Sequence, residues 1–350
     1  MWAFIKKYLG WRNWAVLLYN SIFENLFVAF FIILEMQRFG DMVIIDLVIF
    51  LIFSIFSTTY GYLINDYADI ELDRLHGKAN TFDGDSPKKA LFVTAFFLLL
   101  SVLSGWRFID DISFGLLWLA WLFVATFYSL PPLRFKEKGK IGLALVVSAQ
   151  RLLPILMLMV ALKYKGGYGM AFIAVYVFFR GASSDINHQM EDYESDRSTQ
   201  TVTFAVEQGK ARVEKIFRFS LEMEKILLAG LMIFFMLNLS DLDLLPFLFL
   251  FVLMVLYLGM YGRSLIQTVK HGSLQDVNPF SKQGASIFQF LHHSFPSVIL
   301  ALGLLLMLSF YNWKYSLFLL LLGWMRGLFS PTMIKNSFIY QTFSRMVNHG

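Results

Sequence analysis

"DMVIIDLVIFLIFSIFSTTYGYLINDYADIELD", residues 41–73, runs an apolar stretch straight into a row of aspartates. A helix needs roughly 20 apolar residues to cross hydrocarbon, and the run from 42 to 65 supplies that length with one internal charge, Asp46. The pattern recurs along a chain that is 57% hydrophobic and contains 38 Phe. A soluble domain of 350 residues has too little interior to hide so much apolar surface. The chain therefore reads as an all-α polytopic membrane protein, because hydrocarbon tolerates only segments that satisfy their own backbone hydrogen bonds.

Spans are expected at about 15–36, 42–65, 91–108, 112–130, 141–162, 168–188, 222–239, 243–262, 285–309 and 312–330, a bundle of nine to ten transmembrane helices. If the chain alternates sides, Arg38, Arg107, Lys163, Lys165 and Lys314 fall on odd-numbered connections, and Arg151 and Arg180 fall inside spans. The rest of the 30 Lys and Arg residues sit on the N-terminal side, which makes that side cytoplasmic. The same topology explains the net charge of +5, so nucleic acid is not an expected partner. The basic start "MWAFIKKYLGWRNW" leads into a span with no small-residue cleavage site. Cysteine is absent, which excludes disulfides and thiolate metal sites.

Asp66, Asp69 and Asp73 stand at i, i+3 and i+7, one face of a helix. Three like charges on one face repel unless a cation or a basic ligand bridges them. Oxygen ligands suit Mg²⁺, which commonly shares carboxylates with substrate phosphates. Asn65 adds a neutral oxygen and an amide donor, and the plain alternative is a solvated helix end. A second acidic set repeats the geometry where the sixth span runs out. Asp185, Gln189, Asp192 and Asp196 share a face in "DINHQMEDYESD", whereas Glu191 and Glu194 point elsewhere. Arg180 lies deeper in that span, where an ionisable group normally faces a polar cavity or a partner.

Between the fourth and fifth spans lies "YSLPPLRFKEKGK", where Pro131 and Pro132 stop the helix ahead of Arg134, Lys136, Lys138 and Lys140. A positive-inside loop would look the same, but a stiff turn before alternating cations also suits a clamp for phosphate. Lys78 follows the first motif closely, where a phosphate contact and a topological charge are equally compatible. The loop "TFDGDSPKK" reads as a cap over the first motif, with Asp83 and Asp85 solvated.

Taken together, these segments resemble the UbiA superfamily of intramembrane prenyltransferases. "NDYADIELD" is similar to that family's NDxxDxxxD motif, "DINHQMEDYESD" to its second motif, and "YSLPPLRFK" to its YSxPPxRxK segment through Tyr128, Ser129, Pro131, Pro132, Arg134 and Lys136. Where the family often has glycine four residues after the last aspartate, this chain has Gln200, so that turn is expected to differ in shape. The resemblance covers about residues 15–310. It implies a UbiA-like domain over 1–310, with 311–350 as an additional C-terminal helix and polar tail.

The resemblance further implies helices around a central cavity, in which Mg²⁺ on Asp66, Asp69, Asp73, Asp185, Asp192 and Asp196 holds a prenyl diphosphate. Asn65, Lys78, Tyr128, Arg134, Lys136, Arg180 and Gln189 would line that substrate, and Asp69 or Asp192 would take the proton of an attacking acceptor. The expected partners are a prenyl diphosphate, a small-molecule or lipid acceptor, and the lipids of a bacterial inner membrane. Rival readings keep the fold with phosphoribosyl diphosphate as donor to a polyprenyl phosphate, or assign a non-catalytic transporter. A CDP-alcohol phosphotransferase is disfavoured, because no DGxxAR segment occurs and the aspartates are split between distant segments.

Overall fold

A computed structural model describes the chain except residues 11–13, 15, 18–19, 76, 242–243, 282–285, 327–328, 330, 337 and 349–350. Helices are the regular structure of the described residues, which form no strand, although an isolated parallel bridge joins Gly139 to Thr203. Among the described residues, five helices are long and apolar enough to cross a membrane: Asp41–Ala68, Pro87–Phe108, Gly139–Ala161, Phe247–Lys270 and Ser286–Tyr311.

The count of nine to ten spans is not confirmed, for identifiable reasons. Leu26–Glu35 and Ile112–Phe127 are apolar but shorter. Tyr168–Glu191 and Lys210–Asn238 are long but carry the charges that serve other purposes. The tenth expected span shrinks to Ser316–Met325, 10 residues. Of the first expected span, 15–36, residues 15 and 18–19 lie outside the described part, and the rest is divided at Asn25 into Ser21–Glu24 and Leu26–Glu35.

Local signals set the helix boundaries. Ser86 caps the helix that starts at Pro87, its hydroxyl accepting from the Lys89 amide, and proline occupies the first helical position where its missing N–H costs nothing. Asp111 caps Ile112–Phe127 through the Ser113 amide at 2.9 Å.

Contacts divide the chain into two compact units. The first comprises Met1–Phe23, Ile45–Lys165 and Arg180–Phe217 and holds every residue singled out as a candidate ligand. Its helices are joined by side-chain hydrogen bonds, the buried pair Ser57 and Ser101 at 2.6 Å and the partly buried pair Tyr60 and Thr126 at 2.7 Å. Such pairs hold apolar helices together where lipid gives no hydrophobic drive for association. Outward, Leu91, Phe92, Leu99 and Leu103 are exposed, as a lipid-facing helix requires.

The second unit comprises Glu24–Ile44, Gly166–Phe179 and Arg218–Gly350. Leu26–Glu35, apolar on all sides, is buried in it and stacks Phe31 on Phe235 with centroids 3.7 Å apart. This unit also buries a polar group. His292 Nδ1 lies 2.7 Å from Glu224 Oε1, and Lys225 Nζ lies 2.6 Å from Glu222 and 3.3 Å from the Ser264 hydroxyl. His292 sits in Phe290–Leu300, an 11-residue π-helical stretch that contains Pro296.

Candidate active site

The first acidic motif ends the Asp41–Ala68 helix, turns at Asp69 and resumes as Ile70–Leu75. Its carboxylates are not left to repel one another, because each receives its own donor. Asp66, 2% exposed, accepts from both the amide and the hydroxyl of Thr81. Asp73 accepts from Asn80 Nδ2 at 2.7 Å, and the same amide reaches the Asp66 carbonyl at 2.9 Å. Asp69 takes the Lys136 ammonium on both oxygens at 2.6 Å, with the Arg134 guanidinium 3.7 Å away.

The basic loop is stitched onto this motif. The Ser129 hydroxyl donates to Asn65 Oδ1, and the Lys136 amide returns to the Tyr128 carbonyl at 3.0 Å. Arg134 has φ +39, a left-handed conformation that side chains seldom adopt, and its Nε pairs with Glu137 at 2.8 Å. Gly139 closes the loop with φ +50. A Cβ there would lie 1.7 Å from the Glu207 carboxylate that binds the Lys140 amide at 2.8 Å.

The second motif follows the helix Tyr168–Glu191, which breaks at Asp192 before Tyr193–Ser198. Asp185 accepts from Gln189 Nε2 at 3.2 Å, and Gln189 in turn accepts from the Ala205 amide. Asp192 lies 3.7 Å from His188, both partly exposed. Burial pushes the Asp196 carboxyl above its usual range, assisted by the charge of Asp192 and opposed by Thr203, Lys78 and His188. Arg180 is 3% exposed on the same long helix. Arg151 lies on a π-helical turn, Ser148–Leu152, and interacts electrostatically with Asp185.

The three segments lie within electrostatic reach of one another: the charges of Asp69, Asp185 and Asp196 all act on Tyr128, and the charge of Lys78 acts on Asp196. Yet among the described residues no three His, Cys, Asp or Glu side chains gather closely enough to hold a cation. The donors explain this, since Thr81, Lys136 and Asn80 hold the first motif's oxygens individually. In kind the ligands fit a hard, oxygen-preferring cation such as Mg²⁺, because they are carboxylates without sulfur. Its entry requires exchange of those internal donors.

Two expectations change. Asp85, read as solvated, has a side chain only 5% exposed and is gripped by Lys7 at 2.6 Å, Lys89 at 2.6 Å and Tyr8 at 2.8 Å. Its loop is thereby clipped to the helix Trp2–Tyr8. The turn at Gln200 does not depart from a glycine-like backbone: Gln200 has φ +57, the left-handed conformation glycine would take. The segment from Asn80 into the "TFDGDSPKK" loop, expected as a cap over the first motif, supplies that motif's donors Asn80 and Thr81, whereas no motif announced Glu207. The cue for Asn80 and Thr81 is their place immediately after three carboxylates that need donors.

The UbiA prenyltransferase family model matches residues 26–275. Among solved structures, a UbiA homologue from Archaeoglobus fulgidus bound to GPP and Mg²⁺ aligns with a TM-score of 0.56 at 20% identity, over 87% of this chain and 99% of that one. The same homologue bound to DMAPP and Mg²⁺ gives 0.54 at 19% identity, over 83% and 98%. A structure concerned with digeranylgeranylglyceryl phosphate synthase in membranes gives 0.54 at 16% identity, over 86% and 98%. No curated protein matches the sequence.

Proposed function

Since the chain belongs to the UbiA prenyltransferase family, we propose that it is an integral membrane enzyme that transfers an isoprenoid group from a prenyl diphosphate to a small-molecule or lipid acceptor, with Mg²⁺. The observation that carries this reading is the gathering of both aspartate segments and the basic loop in one compact unit, with Lys136 and Arg134 of the loop paired to Asp69 of the first motif. The UbiA homologue bound to GPP and Mg²⁺ supports the choice of donor and metal.

Asp66, Asp69 and Asp73 would hold Mg²⁺ on one side, and Asp185, Asp192 and Asp196 on the other. When bound, Mg²⁺ supplies neutralisation of the diphosphate charge. Arg134, Lys136, Lys78 and Arg180 add charge-assisted hydrogen bonds to the departing diphosphate, whose negative charge grows as the allylic C–O bond lengthens. Asn65 and Gln189, their side-chain amides held by Ser129, Asp185 and the Ala205 amide, orient it together with Tyr128. Asp192, partly exposed, or Asp69, once free of Lys136, accepts the acceptor's proton. The apolar walls keep water from the allylic cation. Residues 1–310 would form the catalytic domain and 311–350 an addition to it, with the site on the cytoplasmic face of a bacterial inner membrane.

The test uses purified protein in lipid nanodiscs, given labelled prenyl diphosphates of several lengths or phosphoribosyl diphosphate with polyprenyl phosphate. Mg²⁺-dependent release of diphosphate from a prenyl donor is expected, with loss of at least about a hundredfold in Asp66→Ala and Asp192→Ala. Turnover from phosphoribosyl diphosphate alone, or full activity in both variants, refutes the proposal.

A further inference from the structure

Within the first motif, Asp69 is held by cations of the chain. Asp66 and Asp73 take neutral donors from Thr81 and Asn80, whereas Lys136 spans both oxygens of Asp69 at 2.6 Å and Arg134 stands behind it. Side-chain exposure at this pair is 17% for Lys136 and 13% for Asp69, so solvent screens it only in part. The backbone carrying Lys136 is fixed by its bond to the Tyr128 carbonyl and by the Ser129–Asn65 contact. Freedom to move therefore lies in the lysine's four-carbon stem.

From this arrangement we infer that Lys136 is the resident counter-ion of Asp69 and makes cation binding depend on diphosphate binding. The inference rests on the reading of Asp69 as a Mg²⁺ ligand. A divalent cation at Asp69 must displace or crowd an ammonium that already uses both oxygens, and two cations on one carboxylate repel. A diphosphate offers the ammonium a richer set of acceptors, and a flexible lysine with three donors can transfer to them without moving the loop. Once Lys136 leaves, Asp69 is open to the metal. Each ligand thus lowers the cost of admitting the other, and that coupling is reciprocal. The cation alone should bind weakly, which guards the site against occupation without substrate.

The consequence is a pair of effects of opposite sign from one substitution. Full-length protein in detergent micelles is titrated with Mn²⁺ followed by electron paramagnetic resonance, and with inorganic diphosphate by calorimetry. Lys136→Met should tighten Mn²⁺ binding by at least about threefold, as loss of a half-buried ion pair allows. The same variant should weaken diphosphate binding in the presence of Mn²⁺ by about tenfold. Lys138→Met and Lys140→Met, exposed on the same loop, should leave Mn²⁺ binding unchanged, which separates a counter-ion from general charge reduction. Lys136→Arg keeps a cation on Asp69 and should bind Mn²⁺ no more tightly than wild type, which preserves the test should the methionine variant not fold.

Tightening in Lys136→Arg, or unchanged or weaker Mn²⁺ binding in Lys136→Met while Asp69→Ala still abolishes it, overturns the counter-ion role and leaves the proposed function intact. Mn²⁺ binding indifferent to Asp69→Ala overturns the metal reading of the motif itself.

Discussion

Gly181 is where packing and helix propensity pull in opposite directions, so replacing it with alanine tests the account of Arg151. A Cβ there would lie 2.5 Å from Arg151 Cγ, 3.2 Å from Arg151 Cβ and 3.0 Å from Val147 Cγ1. These are atoms near the root of their side chains, which cannot swing aside without moving the π-helical turn. In a helix interior, glycine to alanine should gain about 0.5–1 kcal/mol through reduced backbone entropy. Overpacking costs about 1–3 kcal/mol. The balance is a loss of about 1 kcal/mol, seen as a melting temperature roughly 2–4 °C lower or an earlier transition in mixed-micelle denaturation. In an Arg151→Ala background most of the clash is gone, so Gly181→Ala should become neutral or stabilising. The two costs should then fail to add by about 1–2 kcal/mol. Gly181→Ala protein at least as stable as wild type, or costs that simply add, would refute the contact between these helices.

Three further outcomes follow from other parts of the chain. Burial alone would raise the Asp85 carboxyl, but hydrogen bonds from Lys7, Lys89 and Tyr8 outweigh it and hold the group at about 2. Its contribution to stability is therefore complete above the ordinary carboxylate range near 4 and lost as pH falls through about 2. Asp85→Asn should lower the melting temperature at pH 6, and the gap to wild type should narrow in scans taken towards pH 3. Gln200→Gly relieves a left-handed residue and should stabilise by up to about 1 kcal/mol, while Gln200→Val should destabilise; equal melting curves for both count against the turn. In the second unit, Glu224→Leu or His292→Leu alone removes one side of a buried polar contact and should cost about 1–3 kcal/mol. The double leucine variant should cost less than either, and denaturant titration showing the two costs summing would exclude the pair.

The all-helical class was legible because apolar run length is a local property, and the stretch at 41–73 displays it without ambiguity. The number of spans was not, because Arg180, Asp185 and Glu224 interrupt helices that only their neighbours make tolerable. The acidic spacings correctly marked Asp66, Asp69 and Asp73 as needing positive or hydrogen-bonding company. They did not say that the company would be Thr81, Lys136 and Asn80, since two of these lie on a turn and one lies 67 residues away. Periodicity also assumes an unbroken helix, and the chain turns at Asp69 and at Asp192. Asp85 was misread for a related reason: its partners Lys7 and Tyr8 come from the N-terminal helix, and no periodicity connects them.

The helix Tyr168–Glu191 has a consequence for how the protein is made. On insertion scales, an arginine or aspartate near the middle of a helix costs roughly 2.5–3.5 kcal/mol, and this helix carries Arg180 and Asp185 in its second half. Such a segment leaves the translocon reluctantly on its own. Residues 45–165, synthesised earlier, already contain Arg151, whose charge acts on Asp185. Biogenesis should therefore pause at this helix until the preceding ones have assembled.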